Sequence, residues 1–344
     1  MRLDQSIIAG LADLGEVPAF LKDIVRAGVV STVDTAMIID DSDYVAVEQG
    51  KALAGGTAAP FGPIEERIEL IQATIAAEGF ANGNFHGLVR EFGGLLFGMI
   101  ASAEQQAQVA SWHANGTASF GGFLMSDGGG PSIQDWNTAF ISDGDMLTLD
   151  VDKVWIIEGH RLDYGSVASA STQRLYPSSI LVPPEEFAKL EKAPVGAPFL
   201  DGSLQLGNVS GKVTVSKSCL LSGGGLAATS VFLSKARPRF VRALMAHVGW
   251  LDRTGRIVLS SQQRDSAVAL EAIAKTFYHA LVERKPSLQM ALAIKFASNR
   301  LLLDLVASGA AAEPAVARDL MAFTRMEGSS YRCLFEIYSK VKVR

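Results

Sequence analysis

A chain of 344 residues is too long for one small core, so two or three subdomains are expected. Apolar residues at 48% and charged residues at 19% exclude a disordered chain, and the longest apolar run, Leu95–Ala101, is far short of a membrane span. A net charge of −5, with no basic run or Lys/Arg face to track phosphates, argues against a nucleic-acid partner.

The N-terminus, MRLDQSIIAGLADLGEV, lacks the apolar core and small-residue cleavage site of a signal peptide. The two cysteines, Cys219 and Cys333, lie far apart and outside any CxxC pair, and read as reduced thiols of a cytoplasmic protein. The five histidines show no ligand spacing, so no metal site is expected.

Taken in order, residues 1–30 give one or two short helices, with Leu11, Leu14, Val17, Leu21 and Ile24 at helical spacing. Residues 31–60 are mixed and end in a loop rich in Ala, Gly and Pro. Pro63 opens a clear helix with a stripe of Ile64, Ile68, Ile71 and Ile75, its first turn complemented by Glu65, Glu66 and Glu69. Asn82-Gly-Asn84 breaks the chain before two further helices, Phe85–Ile100 and Ala103–His113.

From Gly116 the pattern changes. Short apolar, β-branched runs separated by Gly, Asp and Ser clusters predict strands at Ala118–Met125, Asn137–Ile141, Met146–Leu149, Val154–Ile157, Gly165–Ser171, Ser178–Val182, Gly202–Asn208 and Gly211–Ser216. Such close spacing suits a barrel or sandwich. The turn Ser126-Asp-Gly-Gly-Gly-Pro-Ser132 offers backbone N–H groups and hydroxyls to a ligand, and Trp155 offers a flat face to a planar ring. After residue 233, four helical stretches (Ala236–Val258, Asp265–Glu283, Ser287–Ser308 and Glu313–Phe323) make an up-and-down bundle the default.

The order of these features resembles the acyl-CoA dehydrogenase family. A strand ending in Phe123-Leu-Met-Ser126-Asp127, a Gly/Pro/Ser turn, Thr138-Ala and then DVDKVWI is similar to that family's flavin-binding β-domain. The resemblance implies an α+β multidomain fold: an N-terminal α-helical domain (1–115), a central β-barrel or sandwich domain (116–232) and a C-terminal four-helix bundle (233–344). It also implies FAD as cofactor. Phe123, Met125 and Ser126 would lie along the flavin ring edge, with Ser126 standing in for the usual Thr. Ser132 would face the phosphates, and Trp155 would pack beside the ring, with Ile157 in the position of a usual Thr and Glu158 in that of an Asn.

The second half of such a site comes from a neighbouring subunit. Here the family's Arg-x-x-Phe-Gly is absent, and RTGRIVLSSQQRD offers Arg253, Arg256 or Arg264 in its place. The Gln-x-x-Gly-Gly-x-Gly motif is reduced to Thr324-Arg-Met-Glu-Gly328-Ser-Ser-Tyr331. In the family a Glu removes the α-proton of an acyl thioester while the β-hydride passes to the flavin. The chain ends before one usual position of that Glu, and Ala236 stands at the other, leaving Glu327, Glu336 and Asp127 as candidate bases. Three readings follow: a dehydrogenase with its base elsewhere, a flavin-dependent monooxygenase of the same fold, or a non-catalytic subunit that completes a partner's site. The implied partners are an acyl-CoA or carrier-bound acyl thioester, like subunits in a homo- or hetero-oligomer, and an electron-acceptor flavoprotein.

Overall fold

The computed structural model describes residues 64–130, 133–171, 177–221, 223, 226–283, 288–326 and 333. The expected helices of residues 1–30 lie outside these. In chain order the elements are helices α1 (Ile64–Glu78), α2 (Asn84–Ile100) and α3 (Ala103–Ala114), and strands β1 (Gly121–Leu124), β2 (Ala139–Asp143), β3 (Met146–Ile157), β4 (Tyr164–Ser169) and β5 (Ser178–Val182). There follow a single turn of helix α4 (Pro184–Phe187), strands β6 (Glu191–Phe199), β7 (Leu204–Ser216) and β8 (Leu220–Leu221), and helices α5 (Leu226–Arg253), α6 (Ser261–Glu283), α7 (Leu288–Ala307) and α8 (Pro314–Phe323). The fold is α+β, with helices before and after a central pair of sheets.

The described residues form two compact units. One holds 64–71 and 82–232, the other 72–81 and 233 onward. Helices α2 and α3 therefore share a unit with the sheets, where the sequence reading draws a boundary at residue 115.

In the first unit, sheet order is β1-β4-β5-β8 and β2-β3-β7-β6, and among the strand pairs of the described residues only β1–β4 is parallel. Strands β3 and β7 run antiparallel over most of their length. Alternation drives this: Leu147, Leu149, Val151 and Lys153 face inward on β3, matched by Val209, Val213 and Val215 on β7. Helix α3 is capped by Ser102 and Gln105 in a reciprocal capping box, and Gln105 Nε2 donates to the carbonyls of Ser218 and Leu220 at 2.7 and 3.0 Å.

The second unit is helical. Helix α7 packs against both α6 and α8. Its core includes Phe240, Leu244, Val248, Leu292, Leu302 and Phe323, all buried. Gly79 ends α1 in the left-handed region at φ +69°, where a side chain would strike Trp250.

Three strand expectations change. Met146–Leu149 and Val154–Ile157 are one strand of 12 residues: the segment Asp150–Lys153, expected to separate them, continues the strand, with Val151 and Lys153 buried in it. Gly202–Asn208 and Gly211–Ser216 likewise merge into β7, with Gly211 inside the strand at φ +133°. Strand β6 is unforeseen because it contains Pro194 and Pro198; it lies at a sheet edge, where proline removes no needed donor. Helix α5 begins ten residues before Ala236 and carries Pro238 inside it.

Candidate functional site

The end of β1 and the middle of β3 are stitched together. Val154 N–H donates to the Ser126 carbonyl at 3.1 Å, and Gly128 N–H to the Asp152 carbonyl at 2.9 Å. Asp127 and Lys153 face each other across this seam as an isolated antiparallel bridge. So the structure brings Met125, Ser126 and Trp155 together although thirty residues of chain separate their ends.

Trp155 is displayed by a β-bulge. Regular alternation would send residue 155 inward after Lys153, but the register shifts between Lys153 and Ile156. Ile156 takes the buried place, at 6% exposure, and Trp155 turns outward, at 65%. The cost is a backbone at φ +63°, a region disfavoured for a bulky residue. The Trp155 N–H donates to Asn208 Oδ1 at 3.4 Å. A large flat side chain is thus held outward at a strained backbone position, where its face is open to a planar ligand.

Around it, Ser126 is exposed, Phe123, Met125 and Ile157 are half-buried, and Leu124 is fully buried beneath. Glu158, also in the left-handed region at φ +51°, is buried. Its Oε1 accepts from Gln205 N–H at 2.7 Å, while Oε2 lies 3.5 Å from Arg161 and 3.9 Å from His160. Glu158 therefore anchors the chain after the platform rather than facing a ligand.

Asp127 is fully engaged. Its Oδ1 accepts from the N–H of Gly129 (3.0 Å) and Asn137 (2.7 Å), and its Oδ2 from Thr138 N–H (3.2 Å) and Lys153 Nζ (3.0 Å). Burial alone would raise its pKa, but hydrogen bonds from Thr138, Gly129, Asn137 and Lys153 outweigh that and hold the carboxyl below its ordinary value. A carboxylate held ionised by four donors is a poor proton acceptor. Its geometry is that of an anchor, which argues against Asp127 as the base.

The glycine turn also differs from expectation. Gly128 N–H goes to Asp152, Gly129 N–H to Asp127 Oδ1, and Gly130 N–H to the Asp127 carbonyl at 3.2 Å. None of the three is left for a phosphate. Glycine is required at 129 because a Cβ would sit 1.8 Å from the Asp135 carbonyl oxygen, a packing demand within the turn.

Ser132, Glu327 and Glu336 lie outside the described residues. Arg264 belongs to the helical unit, where its Nε donates to Asp252 Oδ2 at 2.9 Å and its NH2 to the Leu259 carbonyl at 3.4 Å. Asp252 raises its pKa. The described residues thus fit the ring of a flavin, while its pyrophosphate finds no donors in the glycine turn.

A second cluster, not foreseen from sequence, surrounds Phe120. The His86 ring lies 4.6 Å from it, and the Arg161 guanidinium 5.4 Å. Burial lowers the His86 pKa to about 4, with Arg90 and Arg161 adding to that and Glu158 opposing it. His113 Nε2 lies 2.9 Å from Tyr164 Oη, and burial, with the charge of Asp163 adding to it, pushes that phenol's pKa well above its ordinary value. Two histidines, His86 and His113, with Arg161 and Tyr164 far along the chain, carry no periodic signal that would reveal this grouping. Among the described residues, no group of three or more His, Cys, Asp or Glu is placed to hold a metal ion, and no helix is long and apolar enough to cross a membrane.

No protein-family model and no curated protein sequence matches the chain. Solved structures do. A glutaryl-CoA dehydrogenase from Mycobacterium smegmatis in complex with FADH2 superposes with a TM-score of 0.67 at 16% identity, covering 95% of each chain. A glutaryl-coenzyme A dehydrogenase–glutaryl-CoA complex gives 0.60 at 15%, covering 100% of this chain and 97% of that one. A prolyl acyl carrier protein oxidase gives 0.64 at 13%, covering 94% and 98%. Over nearly its whole length, the chain is built on the acyl-CoA dehydrogenase fold.

Proposed function

We propose that the chain is an acyl-CoA dehydrogenase-like flavin oxidoreductase that binds FAD and acts on an acyl thioester, attached to CoA or to a carrier protein. The observation that supports it most is Trp155, turned out by a strained bulge beside exposed Ser126. FAD, when bound, supplies the hydride acceptor. Trp155 would give its ring an apolar face, the Ser126 hydroxyl would serve its polar edge, and Phe123 and Met125 would limit water there. Solved structures of this fold carry FADH2 in one case and glutaryl-CoA in another, which favours the same ligand classes. The α-proton would pass to a carboxylate other than Asp127, with Glu327 and Glu336 as the candidates. The reading also carries assembly with like subunits, an electron-acceptor flavoprotein and a cytoplasmic location.

A second reading, a non-catalytic subunit, is favoured by one observation: the candidate base within the described site, Asp127, is locked in an ion pair. The visible spectrum of the purified chain separates the two, recorded before and after anaerobic addition of mixed acyl-CoAs. A yellow protein that bleaches supports the dehydrogenase. A yellow protein that does not bleach supports the non-catalytic subunit, or a monooxygenase if turnover needs reduced flavin and oxygen. A colourless chain that takes up no FAD sinks the flavin reading.

A further inference from the structure

Lys153 is completely buried, an unusual place for an ammonium group. Its Nζ donates to Asp127 Oδ2 at 3.0 Å and to the Met125 carbonyl at 3.2 Å, and lies 4.4 Å from the centre of the Trp136 ring. Every one of these partners comes from the segment between β1 and β2, Met125 and Asp127 at the β1 end and Trp136 shortly before β2. Lys153 is also the last β3 residue in regular register with β7, opposite Val209, before the bulge that turns Trp155 outward.

We infer that Lys153 and Asp127 are a positioning pair for the Trp155 platform. The ammonium pins β3 to the end of β1 at one point, and the bulge begins at the next residue. The strand cannot slide to bury Trp155 in place of Ile156 without pulling Lys153 off Asp127 and leaving both charges buried and unpaired. The pair also fixes how far Ser126 stands from Trp155, since the Val154-to-Ser126 hydrogen bond lies one residue further on. This role rests on the flavin reading only for what occupies the platform; the orientation of Trp155 belongs to the chain itself.

The test labels the full chain with 5-fluorotryptophan and assigns the Trp155 fluorine signal by loss in Trp155→Phe. The four tryptophans make such a spectrum tractable. In the wild type the Trp155 signal should show the solvent-isotope shift of an exposed ring. In Lys153→Met it should split or lose that shift, with the Trp112 and Trp250 signals unmoved, and FAD should bind at least tenfold more weakly. Lys153→Gln, which keeps a neutral donor for Asp127, should lie between and serves if the Met variant does not fold. A folded variant with an unchanged Trp155 signal overturns the positioning role. If the wild type binds no FAD, the flavin reading fails, and the Trp155 signal still decides the positioning role.

Discussion

The N–H of Val154 donates to the carbonyl of Ser126, so the residue beside the outward tryptophan is tied to the end of the strand that carries the candidate flavin-edge residues. Through this bond a strained residue on β3 and an exposed hydroxyl after β1 form one surface. Conformational strain at such a place has a measurable signature.

Trp155→Gly is expected to separate binding from stability. Glycine removes a left-handed strain of about 1–2 kcal/mol and sacrifices only the modest burial of a ring that is mostly exposed. The thermal midpoint should hold or rise. FAD affinity should fall about tenfold or more, because aromatic stacking contributes about 1–3 kcal/mol. Thermal unfolding and flavin titration of the same preparation check both halves.

Asp127→Ala is expected to destabilise the chain by about 3–5 kcal/mol, since it leaves Lys153 buried without its counter-charge and three N–H groups without an acceptor. The carboxyl is held below its ordinary 3.8, so its contribution is present at neutral pH and lost only as pH falls below about 4. Denaturant unfolding at pH 7 should show the loss. An effect under 1 kcal/mol would mean that the seam between β1 and β3 is held by other contacts.

His86 predicts a separate acid sensitivity. Burial puts its folded pKa at about 4, below the unfolded 6.5, so the unfolded chain binds the extra proton between those values. Stability is therefore fully present above about 6.5 and falls as pH drops toward 4, by about 2 kcal/mol at pH 5 if this group acts alone. His86→Phe should flatten that part of the profile. Unfolding midpoints of both proteins at pH 7.5 and pH 5 decide it.

Gly129→Ala tests whether the glycine turn is a packing requirement. A Cβ would overlap the Asp135 carbonyl oxygen, a backbone atom that cannot rotate away, so a cost of about 1–3 kcal/mol is expected. Gly130→Ala is the contrast for space, because its nearest neighbour would be 3.8 Å away, although its φ of +135° adds strain. If Gly129→Ala is as stable as the parent, the turn is looser than its geometry states.

The sequence alone determined the elements whose signal is local. The isoleucine stripe of α1, the Asn-Gly break before α2, the apolar runs of β2 and β5 and the α–β–α order are all written in spacing that a few neighbouring residues carry. It also singled out the stretch that carries the candidate site, since a glycine cluster after a strand and a tryptophan in another are visible one residue at a time. What only the tertiary structure decided depends on partners distant in the chain. The charged segment Asp150–Lys153 reads as a gap between two short strands, yet Asp127, twenty-six residues before Lys153, lets that lysine continue one strand as a buried cation. Alternation would bury Trp155, yet a one-residue register shift against β7 turns it out. The turn glycines read as open donors, yet Asp127 and Asp152 consume their N–H groups. Period and propensity are local quantities, whereas the burial of a charge and the direction of a side chain are settled by whichever strand lies alongside.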